Sequence, residues 1–342
     1  MMNKLFAPLA ALLTGCTSLS YSNNLLEPAG FSDLKGWDNQ HIVEARSAIN
    51  NSCQKLDRKN YSANLPLGSY SKWQKVCQQL ARVDDSQLTS FFEKHFNVVQ
   101  IAPDKAGLFT GYFSPVYEGR RHKEPGFETP LLKLPDGDLR NKSRAEIAQY
   151  IDSGKVSADQ VLVWLKSPVD RFFLQIQGSG TIELKDGSHL YAGYAGNNGG
   201  KYVAIGRALK DRGDLKTVSM ATIKQWLADN PEKQQSLFNE NPRYIFFKET
   251  STGAITAQGV PATAHHTLAV DSSFIPYGSL LWVDTTLTIN QKPYRQLMVA
   301  QDTGSAIKGV ARGDIYMGVG EQAGTLAGAQ QAPGKLYALV PK

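Results

Sequence analysis

The sequence predicts a mainly β fold with additional α-helices, organised as one domain inserted into another. Its 342 residues include 30 Gly and 16 Pro, a content that indicates many turns. Short apolar runs bounded by turn residues recur after Gly107, whereas helical spacing dominates the stretch before it. The pattern changes near residues 107 and 248, so we expect a middle domain (108–247) inserted into a discontinuous one (37–107 and 248–342).

The composition is that of an ordinary globular protein, with 42% hydrophobic and 20% charged residues. The net charge of +6 is mild and dispersed, and no Lys/Arg run alternates with aromatic residues. We therefore predict no binding to nucleic acid. A mildly basic surface suits anionic polymers or lipid head groups instead.

The N-terminus predicts export. Residues 1–4 carry a positive charge, and residues 5–13 form an apolar stretch too short to span a bilayer. Residues 13–16, which end in Cys16, resemble the bacterial lipobox, in which the cysteine is lipidated. We expect a signal peptide over 1–15, a lipid anchor on Cys16 and a tether over 16–36. Thr17 in place of Asp favours the outer membrane, on its periplasmic face. The alternative is a buried N-terminal helix.

Three amphipathic helices are predicted before residue 107. They start near Asp38, before Trp73, and at Asp84 or Asp85, and each has an apolar face. The apolar faces comprise Ile42, Val43, Ala45 and Ile49; Trp73, Val76, Cys77 and Leu80; and Leu88, Phe91 and Phe92. Cys53 and Cys77 form either one disulfide or two buried free thiols, and the sequence leaves both open.

Strands and further helices follow. Strands are predicted over 108–113, 161–165, 172–177, 244–247, 280–283, 296–300 and 336–340. Ser143 and Glu146 form a capping-box pattern before a short helix. Another helix is predicted over 217–230, and Pro231 begins a further one.

Three aspartates lie in Gly-rich surroundings in the last quarter of the chain. Asp271 and Asp302 each end an apolar run, and Asp314 follows Arg312-Gly313. Carboxylates close to one another and to apolar walls have raised pKa values, which suits a general acid. Taken singly, each could instead cap a turn. His265 and His266 have no partner at ligand spacing, so we predict polar packing in a strand, no metal site and no cofactor.

The run 270–316 resembles the three-aspartate domain of the lytic murein transglycosylase A family. Further motifs in the same order lie at 108–113, 175–180, 194–200 and 241–244. The resemblance implies a double-psi β-barrel with an inserted β-rich domain and a glycan groove between them. It implies cleavage of the β-1,4 bond between N-acetylmuramic acid and N-acetylglucosamine of peptidoglycan, giving a 1,6-anhydromuramyl end, with a role in cell-wall turnover and remodelling. Complexes with other cell-wall enzymes stay open.

The resemblance also assigns roles to residues. Asp314 is the acid that protonates the leaving oxygen and then takes the proton of the muramyl C6 hydroxyl, while Asp302 supports it. Asp271 is the third choice, for the groove or for structure. The remaining polar and aromatic candidates could hydrogen-bond or stack on sugars. They are Thr110, Tyr112, Gln175, Gln177, Ser179, Tyr194, Asn197 and Tyr244.

Three other functions compete with this one. Asp302-Thr303-Gly304 matches the aspartic protease tripeptide, but the chain has one copy where that chemistry needs two. A hydrolase would use Asp302 and Asp314 as base and acid with water. A lipoprotein could bind peptidoglycan and tether it without cleavage.

Overall fold

The computed structural model describes residues 25–63 and 65–342, so the predicted signal peptide and Cys16 lie outside it. Within those residues there are fourteen strands and nine α-helices. The strands are β1 (Leu26–Ala29), β2 (Phe96–Ile101), β3 (Gly107–Ser114), β4 (Val116–Arg120), β5 (Thr129–Leu132), β6 (Val161–Leu165), β7 (Gly180–Glu183), β8 (His189–Asn197), β9 (Ile245–Thr250), β10 (Thr267–Val270), β11 (Leu280–Leu287), β12 (Lys292–Asp302), β13 (Arg312–Val319) and β14 (Gln331–Pro341). The helices are α1 (Asn39–Gln54), α2 (Tyr70–Leu80), α3 (Leu88–His95), α4 (Arg144–Asp152), α5 (Pro168–Gln177), α6 (Ile205–Asp211), α7 (Met220–Asp229), α8 (Gln234–Asn239) and α9 (Gly320–Ala329).

The first sheet closes into a barrel. Its strand order is β1-β2-β14-β11-β12-β10-β13-β3, and an added pairing of β3 with β14 joins the two ends of the last six strands. Closure leaves those six strands without a free edge. The fold is therefore mixed β and α, and its closed barrel of six strands agrees with the barrel that the resemblance implied.

Helices α1, α2 and α3 cover one side of this barrel. The Asp38 side chain caps α1 by accepting the His41 N–H at 3.0 Å. Ile42, Trp73 and Phe92 are buried, and they pack in one cluster with Trp282 of β11. A disulfide joins Cys53 of α1 to Cys77 of α2, with Cα atoms 5.5 Å apart. The three predicted helices are confirmed, and of the two cysteine alternatives the structure contains the disulfide.

The second sheet uses strands between β3 and β10, in the order β5-β6-β4-β7-β8-β9. Helices α4 to α8 come from the same part of the chain. The Ser143 capping box is formed in both directions, since the Glu146 N–H donates to the Ser143 hydroxyl and the Ser143 N–H donates to Glu146. The helix predicted over 217–230 corresponds to α7, and Pro231 opens a short 3₁₀ turn that leads into α8.

The predicted strand over 172–177 is wrong, because these residues belong to helix α5. Ser167 caps the helix by accepting the Asp170 N–H, Pro168 occupies its first turn, and Gly178 ends it in a left-handed conformation. The helix lies between two layers: Leu174 packs into the second sheet, and Phe172 packs into the cluster formed with α6, α7 and α8. Leu174 and Ile176 alternate with Gln175 and Gln177, which mimics the period of a strand, although the residues that start and end the helix are present in the sequence.

Two predicted boundaries also change. Residues 26–36, which the prediction assigned to the tether, belong to the folded part of the chain, because β1 pairs antiparallel with β2 and Leu34 is only 2% exposed. Strand β3, which the predicted boundary at 108 assigned to the inserted domain, belongs to the barrel through β13 and β14. The barrel strands therefore continue to Ser114 before the chain enters the second sheet.

Candidate active site

Two of the three aspartates lie in one row across the barrel. Ala269 of β10 is the register partner of Asp302 on β12 and of Asp314 on β13, and Asp314 is in turn opposite Thr110 on β3. Residues opposite one another in a sheet point to the same face. Asp302 and Asp314 thus lie on either side of the small Ala269 side chain. Because two strand spacings separate them, their Cα atoms are about 10 Å apart.

Asp302 is surrounded by hydrogen-bond donors. Its Oδ1 accepts the N–H groups of Ala257 at 3.0 Å and Thr303 at 2.9 Å, and its Oδ2 accepts the Tyr112 hydroxyl at 2.9 Å. Burial raises the pKa of Asp302, and the three donors oppose that rise. Burial and the Asp302 charge raise the pKa of Tyr112 well above its ordinary value, so its hydroxyl stays a donor.

Asp314 accepts fewer hydrogen bonds than Asp302 does. Its Oδ1 accepts the Thr110 hydroxyl, whose oxygen accepts the Arg312 Nη2 at 2.7 Å. Burial raises the pKa of Asp314 to about 6; Thr110 and Arg312 lower it and the Asp302 charge raises it. A carboxyl of this kind holds a proton near neutral pH and can transfer it, which is the requirement for a general acid.

The two carboxyls line a cavity of about 290 Å³ between the barrel and the second sheet. The barrel side is formed by Tyr112, Ala269, the two aspartates and the loop 303–307, and the opposite side comes from α5, β8 and neighbouring loops. The predicted residues on the cavity are Tyr112, Gln175, Gln177, Tyr194, Asp302 and Asp314.

The predicted groove residues differ in what they offer. Tyr194 is 45% exposed and presents its ring to the cavity, and the Asn197 amide donates to its hydroxyl. Gln177 accepts the Phe113 N–H at 3.1 Å, so it connects α5 to β3. Gln175 is buried and accepts from Arg144 at 2.7 Å, which makes it part of the groove wall. Ser179 does not line the cavity.

The prediction that Tyr244 stacks on sugar is wrong. Its side chain is 2% exposed and packs against Phe246 and beneath the Arg144 guanidinium, 5.1 Å from the ring centre. Tyr244 lies directly before β9, and its ring is buried with Leu132, Ile147 and Phe246 beneath the cavity wall that Arg144 forms. A tyrosine enclosed in this way supports the wall and has no face for a ligand.

Asp271 lies beside the site but has a structural role. Its carboxylate accepts the Ser273 hydroxyl at 2.7 Å and the Gly309 N–H at 2.9 Å, and it is 5% exposed. Burial opposes ionisation, but the Gly309 and Ser273 donors outweigh it and lower the pKa of Asp271. Asp271 therefore anchors the end of the loop 303–309 that carries the cavity wall, and of the two predicted roles the structural one fits.

His265 and His266 precede β10 in a turn, so their predicted strand is wrong. His265 has a positive φ of 63° and its Nδ1 lies 3.0 Å from the Tyr294 hydroxyl, while the His266 Nδ1 lies 2.9 Å from the Leu297 carbonyl oxygen. Each ring thus makes polar contacts inside the barrel domain. Residues 25–63 and 65–342 contain no group of three or more His, Cys, Asp or Glu arranged to hold a metal.

Several residues that line the cavity or contact its carboxyl groups were not singled out from the sequence. Arg312 precedes Asp314 by two residues on β13, so strand alternation could have placed both on one face. Arg144 donates to the carbonyl oxygens of Asn241 and Arg243 and shapes the far wall, which no local signal indicates. Tyr202 also lines the cavity and lies within electrostatic range of Asp314.

Two family models match successive parts of the chain. Residues 108–248 match the MltA specific insert domain, and residues 266–340 match the 3D domain. The membrane-bound lytic murein transglycosylase A of Escherichia coli K12 is 37% identical over 241 residues, which cover 68% of this chain and 65% of that protein. The match thus spans slightly less than two thirds of the relative's length.

Solved structures match over more of the chain. A membrane-bound lytic murein transglycosylase from Agrobacterium tumefaciens superposes with a TM-score of 0.79 at 30% identity, covering 92% of this chain and 97% of that one. Escherichia coli MltA with bound chitohexaose gives a TM-score of 0.71 at 31% identity, with 92% and 91% covered. These matches confirm the resemblance, and the chain belongs to the membrane-bound lytic murein transglycosylase A family.

Proposed function

We propose that this protein cleaves the β-1,4 bond between N-acetylmuramic acid and N-acetylglucosamine in peptidoglycan, producing 1,6-anhydromuramyl ends. The observation that carries the proposal is the row across the barrel, where a carboxyl with a pKa near 6 and a second, donor-rich carboxyl face one cavity. Family membership and the chitohexaose bound to the Escherichia coli relative support a glycan as the substrate.

In the proposed mechanism Asp314 is the acid. Its protonated carboxyl donates to the glycosidic oxygen as the bond to C1 breaks, and the resulting carboxylate accepts the proton of the muramyl C6 hydroxyl as that oxygen attacks C1. An attacking group on the same sugar acts at high effective concentration, so no second carboxylate is needed to activate water. Asp302 is held by three donors, so its charge favours the protonated form of Asp314 and stabilises positive charge on the sugar.

The groove residues have separate roles in this proposal. Tyr194 stacks on a sugar ring, and Gln177 and the loop 303–307 contact the polar groups of the glycan. Lysine and arginine side chains give the chain its positive charge, which suits the anionic cell wall. Attachment through lipid on Cys16 would place this groove at the periplasmic face of the outer membrane. No helix in the described part of the chain is long and apolar enough to cross a membrane.

The test is the mass of the products. Protein lacking residues 1–16 is incubated with purified sacculi, and the released muropeptides are analysed by mass spectrometry. Products one water lighter than reducing-end muropeptides are expected, and Asp314→Asn should not release them. Reducing ends would show a hydrolase instead, and binding without release would show a tethering protein.

A further inference from the structure

Gln301 occupies an unusual position in the strand that carries Asp302. In the pairing of β10 with β12, Leu268 is opposite Ala300 and Ala269 is opposite Asp302, so Gln301 is an extra residue in β12. This is a β-bulge, and it changes the face to which the following side chain points. Without the extra residue, Asp302 would be opposite Val270 and would point away from Asp314.

The Gln301 side chain is held by the N-terminal helix α1. It is completely buried, and its Nε2 donates to the Ala48 carbonyl oxygen at 2.9 Å and to the Ser52 hydroxyl at 2.8 Å. Its Oε1 accepts the Thr267 hydroxyl from β10. The amide therefore has partners on both sides of the bulge, and replacing it with an apolar group would leave these buried polar groups unpaired.

The same network reaches a donor of Asp302. The Ser52 hydroxyl donates to the Gln258 Oε1 at 2.7 Å, and the Gln258 N–H donates to the Gln301 carbonyl oxygen at 2.9 Å. The neighbouring residue, Ala257, donates its N–H to the Asp302 carboxylate at 3.0 Å. Gln301 thus fixes Asp302 in two ways, through the bulge and through the loop that presents the Ala257 N–H.

We propose that Gln301 is a positioning residue for the site, which holds the Asp302 carboxylate toward Asp314 and links this geometry to helix α1 through Ser52. The inference rests on the proposed function for its catalytic meaning, but the positioning itself can be observed without activity. It also gives the N-terminal helices, which do not line the cavity, a role in catalysis.

The experiment replaces Gln301 by methionine, which has a similar volume and no amide. Without the amide, the loop that presents the Ala257 N–H should move away from Asp302. Losing this N–H donor should raise the pKa of Asp302 by roughly one unit. Aspartate labelled with ¹³C at the carboxyl is titrated by NMR, with the Asp302 signal assigned from Asp302→Asn. Muropeptide release should fall at low pH as Asp302 becomes protonated. This acid limb of the pH profile should therefore move to higher pH by the same amount.

Gln330→Met is the matched control. Gln330 is also a buried glutamine of the barrel domain. Its amide donates to the carbonyl oxygens of Thr286 at 3.0 Å and Phe109 at 3.4 Å, and neither of these residues donates to Asp302. Both variants should unfold at lower temperature, but Gln330→Met should leave the Asp302 titration and the acid limb unchanged. If Gln301→Met does not fold, Gln258→Ala tests the same link from the half-buried loop and should shift the Asp302 signal in the same direction.

The outcomes separate the two proposals. An unchanged Asp302 titration in Gln301→Met and in Gln258→Ala would overturn the positioning role, as would an equal shift in Gln330→Met. If wild-type protein releases no anhydromuramyl products but Gln301→Met still shifts the Asp302 signal, then the proposed function fails and the positioning role stands.

Discussion

The arrangement of the two carboxyls predicts how Asp302→Asn changes the pH dependence. Asparagine keeps the shape of the side chain and removes its charge, and that charge helps to raise the pKa of Asp314. At about 10 Å and an effective dielectric constant of about 20, the interaction is worth about 1.7 kcal/mol, or about one pKa unit. The pKa of Asp314 should then fall from about 6 to about 5.

The consequence is a loss of activity that depends on pH. At pH 7 the protonated fraction of Asp314 falls from about 9% to about 1%, which by itself lowers the rate about ninefold. At pH 5 much of this loss should disappear. The assay is muropeptide release from sacculi between pH 4 and pH 8. Activity should fall on the alkaline side of the profile as Asp314 ionises, and this alkaline limb should move to lower pH by about one unit.

Asp284→Asn is the control for this prediction. Asp284 lies on a barrel strand, accepts from Arg295 at 3.0 Å and does not line the cavity, so its removal should leave the alkaline limb in place. An alkaline limb that stays fixed or moves upward in Asp302→Asn would refute the electrostatic coupling. A loss of equal size at every pH would show that Asp302 acts by another route.

Three further predictions follow from the structure. Asp314→Asn should reduce product release by about 10²- to 10⁴-fold. Because folding raises the pKa of Asp314 from 3.8 to about 6, the wild-type protein should lose stability as pH rises from about 4 to about 6. The variant should therefore be more stable than the wild type by up to about 3 kcal/mol at pH 7, measured by urea unfolding, and no gain would contradict this. Tyr194→Ala should raise KM about two- to tenfold, whereas Tyr244→Phe should not, because the buried Tyr244 hydroxyl has no partner among the described residues; equal effects would contradict the assignment. Reducing the Cys53–Cys77 disulfide, which spans 24 residues, should lower the free energy of unfolding by about 3 kcal/mol, and an unchanged urea midpoint would argue against it.

Local signals in the sequence were sufficient for many elements. Asp38 before α1 and the Ser143–Glu146 box before α4 have side chains that satisfy the first N–H groups of a helix, so they mark a start wherever the helix packs. Short apolar runs bounded by turns likewise identified β6 and β11. The family motifs identified Asp302 and Asp314 as a pair, and the structure places both on one cavity.

Other features depend on contacts between distant parts of the chain. The run 172–177 alternates like a strand, and the helix that it forms is stabilised by packing between the second sheet and helices α6 to α8. Tyr244 has the chemistry of a sugar platform, but Arg144, which is 100 residues earlier in the chain, encloses its ring.

The family, the helix starts and the aspartates could be predicted before the fold was known, since these depend on residue type and short spacing. The face that Asp302 occupies could not be predicted in this way. That choice depends on one extra residue, Gln301, whose amide is paired with a helix about 250 residues earlier in the chain. A bulge of this kind leaves no periodic trace in the sequence, because its stability comes from buried hydrogen bonds that exist only after the barrel and α1 have packed together.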